Sequence, residues 1–506
     1  MIVPKSDLKS AAQKRWDVVV VGAGNAALCA ALSARESGAD VVMIEAAKPD
    51  QRGGNSRFTD GAIRLAHGGL PDLRSLIPNL TDEEAARIDL EPYPIEAFVN
   101  DMMRMSGGRT KENLAIRLAE QSTDTVRWML SQGVEFELIF DNQAVREEGR
   151  YQFWGGLVLR SVGRGVGLTD RLFARAKHLD IPIVYGNAAV GLLREGPTIT
   201  GVIVGPSQIQ FDCGAVVLAC GGFEANPELR SMHLGSKWKN VIVRGTPYNT
   251  GGGLTMALEA GAVQSGDWTG CHSVAMDQGA PEFGDFAIGG DIFKKHSYPY
   301  GIVVNQNGQR FVDEGADFRN YTYARYGRAL LEQPGGIAYQ IFDQQVESLL
   351  RSEYFGKNST GYESPSLQAL ANQLDIDQKA FLRTVTHYNQ AVQNKAYVPH
   401  VLDGKGTKGL SPPKSNWALR IEQPPFRAFP VRCGITFTYG GVDVGEGGEV
   451  LDDGGAPIPG LFAAGEMVGG LFFNGYPGGS GLASGAVFGR ISGLHAANKA
   501  SQARNV

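Results

Sequence analysis

The sequence predicts an α/β fold, in which a parallel sheet with covering helices is interrupted by an inserted α+β domain. Near the N-terminus, a β-branched apolar run is followed by a glycine turn and an alanine-rich helix. From about residue 262 the chain has more aromatic and proline residues and no βαβ pattern, and α/β character returns near residue 431. A chain of 506 residues is long enough for several domains. We therefore expect a first domain formed by 1–261 and 431–506, with a capping domain over 262–430.

The bulk composition excludes several classes of protein. The formal net charge of −5 gives no electrostatic footprint for nucleic acid. The five cysteines, odd in number and without a C-x-x-C pair, indicate neither a disulfide framework nor a metal cluster. The first fifteen residues lack the apolar stretch of a signal peptide, and no run approaches eighteen apolar residues. We therefore expect a cytoplasmic protein with no membrane span, no metal and no nucleic-acid partner.

The first βαβ unit carries a dinucleotide-binding pattern. The valine run at 18–21 predicts a buried parallel strand. After it, Gly22 permits a tight turn, Gly24 lets the backbone approach a pyrophosphate at a helix N-terminus, and Ala27 permits close helix–strand packing. Glu45 ends a second predicted strand about 20 residues further on, where a carboxylate accepts ribose hydroxyls. The unit predicts a Rossmann-like domain rather than a glycine turn of another α/β fold.

Two further glycine loops follow predicted strands. The loop at 53–56 can present backbone amides to a phosphate or to the edge of a flat ring. The loop at 475–483 lies between a predicted strand at 460–464 and a final helix that starts near residue 486. A strand, a glycine loop and a helix N-terminus again favour a site for an anion or a polar ring.

Taken in order, these motifs resemble the flavoprotein family of fumarate reductases, succinate dehydrogenases and 3-ketosteroid Δ1-dehydrogenases. The resemblance covers nearly the whole chain. It rests on the first βαβ unit and on 53–56, 219–223, 250–253, 308–314, 461–466 and 475–483. Within the family, 53–59, 296–301 and 319–321 are most similar to tricarballylate dehydrogenases, which oxidise a tricarboxylate to an aconitate.

The resemblance implies FAD as the cofactor, held non-covalently because the histidine motif that attaches FAD in succinate dehydrogenases has no match. The residues implied for the ADP half are Gly22, Gly24 and Glu45, with a backbone contact from Val190 to adenine. Those implied for the pyrophosphate and flavin are Gly53, Gly54, Asn55, Ser56, Glu466 at the ribityl chain, and Ser480, Leu482 and Ala483 at the pyrimidine end. The other cofactor residues predicted from the resemblance are Asn25, Ala26, Thr59, Gly61, Gly221, Gly222, Gly251 and Gly465.

The implied chemistry is desaturation of a C–C bond beside a carboxylate, with a hydride passed to flavin N5 and a proton taken by a base. Cationic donors must then hold the carboxylates. In fumarate reductases an arginine after the R-F-V-x-E hairpin transfers the proton, and Arg319 stands one residue beyond that place. His272 falls near the family's substrate-carboxylate histidine. The predicted catalytic residues are Arg319, His296, Tyr298, His272 and Tyr476.

Two positions depart from the fumarate reductase pattern. Tyr476 stands where that group has a substrate-binding arginine, and Phe437 replaces a histidine. The segment 476–478 instead resembles ketosteroid dehydrogenases, in which this tyrosine contacts a substrate carbonyl. A phenol can donate to a carbonyl or to a carboxylate, so Tyr476 alone does not decide between the two substrates.

The leading hypothesis is an FAD-dependent dehydrogenase that desaturates a small polycarboxylate, as in tricarballylate to aconitate. The alternatives are a ketosteroid-like Δ1-dehydrogenase, a fumarate-reductase-like enoate reductase and a flavin-binding electron-transfer subunit. The chain has no haem or iron–sulfur ligand set, so we expect a separate electron acceptor: a membrane redox protein, a quinone or O2. Lys294 and Lys295 are either a solvated pair or a rim that attracts polyanions. Arg432 is a further candidate to clamp a carboxylate.

Overall fold

The computed structural model describes residues 8–289 and 291–504. The strands are β1 (Trp16–Val21), β2 (Val41–Glu45), β3 (Ala62–Ile63), β4 (Ile88–Asp89), β5 (Phe136–Leu138), β6 (Ala144–Glu147), β7 (Arg150–Phe153), β8 (Leu159–Ser161), β9 (Ile183–Tyr185), β10 (Ala189–Glu195), β11 (Thr198–Val204), β12 (Ile209–Leu218), β13 (Ile242–Val243), β14 (Gln264–Asp277), β15 (Ile302–Asn305), β16 (Ile337–Phe342), β17 (Tyr362–Ser364), β18 (Phe426–Val442), β19 (Glu449–Leu451) and β20 (Pro457–Ala463). The α-helices are α1 (Leu8–Ala12), α2 (Asn25–Glu36), α3 (Leu70–Arg74), α4 (Asp82–Ala85), α5 (Ile95–Ser106), α6 (Glu112–Ser131), α7 (Phe140–Gln143), α8 (Arg164–His178), α9 (Pro227–His233), α10 (Gly252–Glu259), α11 (Arg319–Leu331), α12 (Leu367–Leu374), α13 (Gln378–Ala391) and α14 (Ser480–Arg504).

A sheet of eight strands carries the predicted nucleotide-binding unit. Its strands lie in the order β10-β11-β12-β1-β2-β9, and β20 pairs with β12 and with β19. Strand β1 runs parallel to both β2 and β12, and β12 runs parallel to β20. All six residues of β1 are buried, as its continuous valine run predicts for a strand covered on both faces. The predicted α/β, Rossmann-like fold is confirmed.

A second sheet is organised around the long strand β18, which pairs with β13, β14, β16 and β17, while β15 joins β16. Strand β13 runs parallel to β18, and the other three partners run antiparallel to it. The expected boundary between residues 430 and 431 falls inside β18. One continuous strand therefore passes from the inserted segment into the C-terminal segment, and the division into domains stays a prediction.

Helices α2 and α14 lie side by side although they come from opposite ends of the chain. A Cβ at Gly489 would overlap the carbonyl oxygen of Ala26, so the two backbones approach as closely as glycine permits. At the start of α2, the side-chain amide of Asn25 donates to the Leu482 carbonyl oxygen at 2.9 Å. This packing brings the first glycine turn and the last glycine loop to the same place.

Three further features bear on function. Within the described residues, none of the helices combines the length and apolar character that crossing a membrane requires. The same residues hold no group of three or more histidine, cysteine or acidic side chains arranged to bind a metal ion. All five cysteines are free thiols, and four of them are buried.

Candidate active site

A cleft of ≈ 1950 Å³, its open mouth included, lies at the carboxyl ends of β1, β2, β12 and β20, with β18 in the facing wall. Ligands of open parallel α/β sheets bind at this edge. The predicted cofactor residues that line the cleft are Gly22, Gly24, Asn25, Ala26, Glu45, Gly54, Asn55, Ser56, Thr59, Gly221, Gly465, Glu466 and Leu482. Arg319, His296 and Tyr476, predicted as catalytic, line the same cleft.

Other predicted cofactor residues lie beside or behind this lining: Gly53, Gly61, Val190, Gly222, Gly251, Ser480 and Ala483. The side chain of Val190 is 53% exposed, whereas the preceding Ala188 and Ala189 line the cleft. The hydroxyl of Ser480 donates to the Pro477 carbonyl oxygen at 2.6 Å and so holds the last glycine loop. Direct contact of these residues with FAD stays a prediction.

The first glycine turn has the shape that a pyrophosphate requires. Gly22 has φ +109°, and a Cβ there would overlap the carbonyl oxygen of Ala219. At Gly24 the nearest atom to a Cβ would be Ser56 Oγ at 3.6 Å, so the space beside this glycine is open. Gly22 therefore allows the turn itself, while Gly24 leaves a cradle at the N-terminus of α2 in which an anion fits.

Glu45 ends β2 with its carboxylate in the cleft. It is buried, and its Oε1 accepts the backbone N–H of Ala47 at 2.7 Å. Burial raises the pKa of Glu45 to about 7. A carboxylate in this position can also accept ribose hydroxyls, which fits the ADP half of a dinucleotide.

Four cationic side chains cluster at the other end of the cleft: Arg244, Lys294, Arg319 and Arg351. Asp291 pairs with Arg244 at 2.9 Å and with Lys294 at 3.0 Å, and Asp60 lies 3.7 Å from Lys294. Arg351 lies 4.0 Å from Glu353. Within the described residues, Arg319 forms no ion pair at 4.0 Å or less. Because Asp60 and Asp291 are the acids among the lining residues here, cationic charge is in excess.

Arg319 begins α11 and lies against His296. Its Nη1 is 3.5 Å from His296 Nδ1, and its Nη2 donates to the side-chain oxygen of Asn320 at 2.7 Å. Burial and then the charge of Arg351 lower the pKa of Arg319 to about 10. Burial and then the charge of Arg319 lower the pKa of His296 well below its ordinary value. A neutral imidazole therefore stands beside an arginine that releases a proton more readily than usual.

Aromatic side chains form the neighbouring wall. Tyr323, on α11, and Tyr476, in the last glycine loop, share a hydrogen bond of 2.6 Å between their phenol oxygens. Phe437, on β18, meets Tyr476 edge to face with ring centroids 5.2 Å apart. Burial raises the pKa of Tyr476 well above its ordinary value, so this phenol stays protonated and can donate a hydrogen bond.

His272 and Tyr298 do not line the cleft. His272 is fully buried on β14, stacks on Phe437 at a centroid distance of 5.2 Å, and has no hydrogen-bond partner at either ring nitrogen in the described part of the chain. The Tyr298 hydroxyl shares a hydrogen bond of 2.5 Å with Thr322 Oγ1. Both side chains point into the packed interior behind the wall, so direct substrate contact by either stays a prediction without geometric support.

The two adjacent lysines occupy different environments. Lys294 lines the cleft, whereas Lys295 is turned away into a fully buried ion pair with Asp277, 3.2 Å long. Both lysines are buried, so their interpretation as a solvated pair is wrong. Arg432 is absent from the cleft lining, and its Nε lacks a partner among the described residues.

Tyr323, Arg244 and Arg351 are among the polar residues of the cleft that sequence reasoning missed. Tyr323 stands four residues after Arg319 on the same helix, so its place on the same face could have been found from helical spacing. Arg244 follows β13, which pairs with β18 nearly 200 residues later in the chain, and Arg351 directly precedes a short 3-10 helix, Ser352–Tyr354. No local pattern reports such positions, because tertiary packing alone brings them to the cleft.

Comparison with known proteins agrees with this geometry. The family model for an FAD binding domain matches residues 17–482. The chain belongs to this FAD-binding family. The prediction of FAD as cofactor is confirmed, whereas its non-covalent attachment stays a prediction.

Relatives and solved structures indicate the type of enzyme. A probable fumarate reductase of Shewanella frigidimarina is 29% identical over 96% of this chain and 75% of that protein. A vinyl phenol reductase of Lactiplantibacillus plantarum is 28% identical over 96% of this chain and 97% of that protein. The open conformation of a flavocytochrome c3 fumarate reductase superposes with a TM-score of 0.72 at 27% identity, covering 98% of this chain and 80% of that one. This member of the family is thus an FAD-dependent oxidoreductase of the fumarate reductase and enoate reductase type, acting on C=C or CH–CH groups.

The fold is shared more widely. A 3-ketosteroid Δ1-dehydrogenase from Sterolibacterium denitrificans superposes with a TM-score of 0.72 over 96% of this chain and 99% of that one. Its sequence is 20% identical, so this likeness concerns the fold alone. The family resemblance drawn from the motifs is confirmed, and the choice of substrate rests on the cleft itself.

Proposed function

We propose that this enzyme interconverts a saturated polycarboxylic acid and its α,β-unsaturated form, with oxidation of tricarballylate to an aconitate as the leading reaction. The observation that supports the proposal is the excess of cations in the cleft, where Arg244, Lys294, Arg319 and Arg351 face the acids Asp60 and Asp291. Two positive charges remain without a partner among the lining acids. A substrate with at least two carboxylates would balance them.

Arg319 and Arg351 are the best candidates to hold these carboxylates. Arg319 forms no ion pair with a described residue and Arg351 has only Glu353, at 4.0 Å, whereas Arg244 and Lys294 are both engaged by Asp291 at 2.9 and 3.0 Å. A guanidinium offers two parallel N–H donors to one carboxylate, and such a bidentate pair fixes orientation as well as charge. Because both arginines are largely screened from water, each pair would be stronger than on the surface.

Arg319 and His296 supply the proton chemistry in this proposal. When bound, FAD accepts a hydride from one substrate carbon or returns it. The proton at the adjacent carbon, beside the carboxylate, is exchanged with the guanidinium of Arg319. The lowered pKa of Arg319 reduces the free energy needed to form its neutral state. His296 Nδ1, 3.5 Å from Arg319 Nη1, is placed to accept a hydrogen bond from the guanidinium and so to orient it.

An anaerobic absorbance titration tests the proposal. Addition of tricarballylate to the FAD-loaded enzyme should bleach the oxidised flavin, and a 3-ketosteroid should leave it unchanged. The variant R351Q should need about tenfold more tricarballylate, the equivalent of one lost charge-assisted hydrogen bond. The matched control K357Q removes an exposed lysine from the same segment and should titrate like wild type. A yellow enzyme that no polycarboxylate bleaches would overturn the proposal.

A second candidate is a ketosteroid-like Δ1-dehydrogenase. The aromatic wall of Phe437, Tyr439, Phe472 and Tyr476 favours it, because this wall is apolar and carries a phenol able to donate to a carbonyl. Bleaching by a 3-ketosteroid, without bleaching by tricarballylate, would select this function instead.

The direction of the reaction and the identity of the electron acceptor need separate assays. Reoxidation of the prereduced enzyme by fumarate or another enoate would indicate an enoate reductase. Turnover of the isolated chain with an artificial dye would exclude a flavin-binding electron-transfer subunit without chemistry of its own. We expect the physiological acceptor to be separate from this chain: a membrane redox protein, a quinone or O2.

A further inference from the structure

Glu224 is a fully buried acid that follows the glycine turn after β12. Its Oε1 accepts the side-chain N–H groups of Asn55 and Asn249, each at 2.6 Å. Its Oε2 is buried and meets no donor among the described residues. The carboxyl group of Glu466, which lines the cleft, is within hydrogen-bonding reach of the Glu224 carboxyl group.

Glu466 is already supplied with donors. Its Oε1 accepts the backbone N–H of Thr438 at 2.6 Å and the hydroxyl of the same residue at 2.9 Å. Two buried carboxylates in contact cannot both be ionised without a large free-energy cost, so one of them must carry a proton. Glu466 already has the hydrogen-bond donors that stabilise an anion, whereas Oε2 of Glu224 has none among the described residues. The shared proton therefore belongs on Glu224.

The surroundings of the pair do not supply a competing countercharge. Burial and then the neighbouring Glu466 raise the pKa of Glu224 well above its ordinary value. Arg230 interacts electrostatically with Glu224, but its guanidinium donates to the backbone carbonyl oxygens of Glu224, Trp238 and Lys239 and to neither carboxylate. The thiols of Cys220 and Cys271 also face the pair, and burial raises the pKa of both.

We propose that Glu224 is a positioning residue that stays protonated, donates its proton to Glu466 and thereby joins three separate segments of the FAD site. Asn55 comes from the loop after β2, Asn249 from the turn before α10, and Glu466 from the loop after β20. All three line the cleft, whereas Glu224 does not. The proposal concerns the cofactor site and is independent of the substrate.

Protonation decides which side chains can replace Glu224. A protonated glutamate accepts two N–H groups at one oxygen and donates one O–H from the other. Glutamine reproduces this pattern, because its carbonyl oxygen accepts and its amide donates. An ionised glutamate cannot donate to Glu466 and would place a second negative charge beside the cofactor.

Equilibrium binding of FAD to the apoenzyme provides the first test. We expect E224Q to bind FAD with a dissociation constant within about twofold of wild type. E224L keeps the volume but loses all three hydrogen bonds, and should weaken binding by about tenfold or more. Weakening by E224Q to the level of E224L would overturn the proposal.

Infrared spectroscopy detects the proton directly. This test requires only the variant E224Q, so it can be carried out even if E224L does not fold. At about pH 8, above the pKa of Glu45, the wild-type holoenzyme should show the carbonyl stretch of a protonated carboxylic acid. E224Q should lose this band, and the control E45Q should keep it. A wild-type spectrum in which E224Q removes no acid band would overturn the proposal.

Stability against pH gives a third readout. A group whose pKa is raised on folding contributes stability that is lost as the pH rises from its unfolded pKa, about 4.3 for glutamate, through its folded pKa. Wild type should therefore lose stability relative to E224Q over this range, by up to about tenfold in the unfolding constant per pH unit. A difference between the two proteins that does not change with pH would contradict a protonated Glu224.

Discussion

The phenol oxygens of Tyr323 and Tyr476 lie 2.6 Å apart, in a hydrogen bond between residues 153 positions distant in sequence. Tyr323 belongs to helix α11, in the inserted segment, and Tyr476 to the glycine loop that precedes α14. Both side chains line the cleft. One hydrogen bond therefore links two distant parts of the chain at the wall of the cleft.

The variant Y476F should leave the buried phenol of Tyr323 without its partner. We expect a loss of about 1–3 kcal/mol in the free energy of unfolding, measured by denaturant titration of the holoenzyme. The double variant Y323F/Y476F removes both polar groups, so its loss should be smaller than the sum of the two single losses. Strictly additive losses would show that the two hydroxyls do not interact in solution.

Replacement of Arg319 should abolish turnover while the enzyme keeps its flavin. We expect R319A to lower kcat by roughly 10²–10⁴-fold, the usual contribution of a positioned acid or base, with unchanged flavin absorbance. The variant R325A removes an exposed arginine from the same helix and should turn over like wild type. Wild-type kcat in R319A would exclude Arg319 from proton transfer.

The two glycines of the first turn should respond differently to alanine. At Gly22 a Cβ would overlap the Ala219 carbonyl oxygen and φ is +109°, so G22A should destabilise the fold by about 1 kcal/mol or more. At Gly24 the structure has room for a Cβ, so G24A should fold normally but bind FAD at least about tenfold more weakly. Unfolding curves and FAD titrations separate the two effects. Normal FAD binding by G24A would show that no phosphate lies in this cradle.

FAD affinity should depend on the ionisation of Glu45. Burial raises the pKa of this group to about 7, so in the apoenzyme it gains charge as the pH rises through that value. An ionised carboxylate accepts ribose hydroxyls more strongly than a neutral one, so the dissociation constant for FAD should fall over this range. The stability that protonated Glu45 gives the apoenzyme should be lost as the pH rises from its unfolded pKa, about 4.3, through its folded pKa of about 7.

The variant E45Q is the control for this pH dependence of FAD affinity. It should bind FAD about tenfold or more weakly above pH 7, with no change in affinity through this pH range. A wild-type affinity that stays constant through pH 7 would separate Glu45 from the ribose.

Local patterns brought one group of residues to the cleft together. Gly22, Gly24 and Glu45 line it and lie within one βαβ unit, whose geometry follows from short-range rules of turn and helix formation, and their contact with FAD stays a prediction. The residues predicted as catalytic line the cleft only in part. Arg319 and His296 line the cleft. His272 is equally polar, but its side chain on β14 is buried among aromatic rings in the protein interior. Side-chain direction on that strand depends on its register with β18, which includes a bulge between His272 and Ser273.

The sequence by itself determined the α/β fold, the FAD-binding family and the glycine turns at the edge of the sheet, because these depend on contiguous motifs whose spacing is set by backbone geometry. The tertiary structure alone decided which charges share the cleft. It places Arg244 and Arg351 beside Arg319, turns Lys295 away from Lys294, and sets Glu224 against Glu466. These relationships join residues far apart in the chain, and they arise from strand register and close packing, which no local pattern specifies.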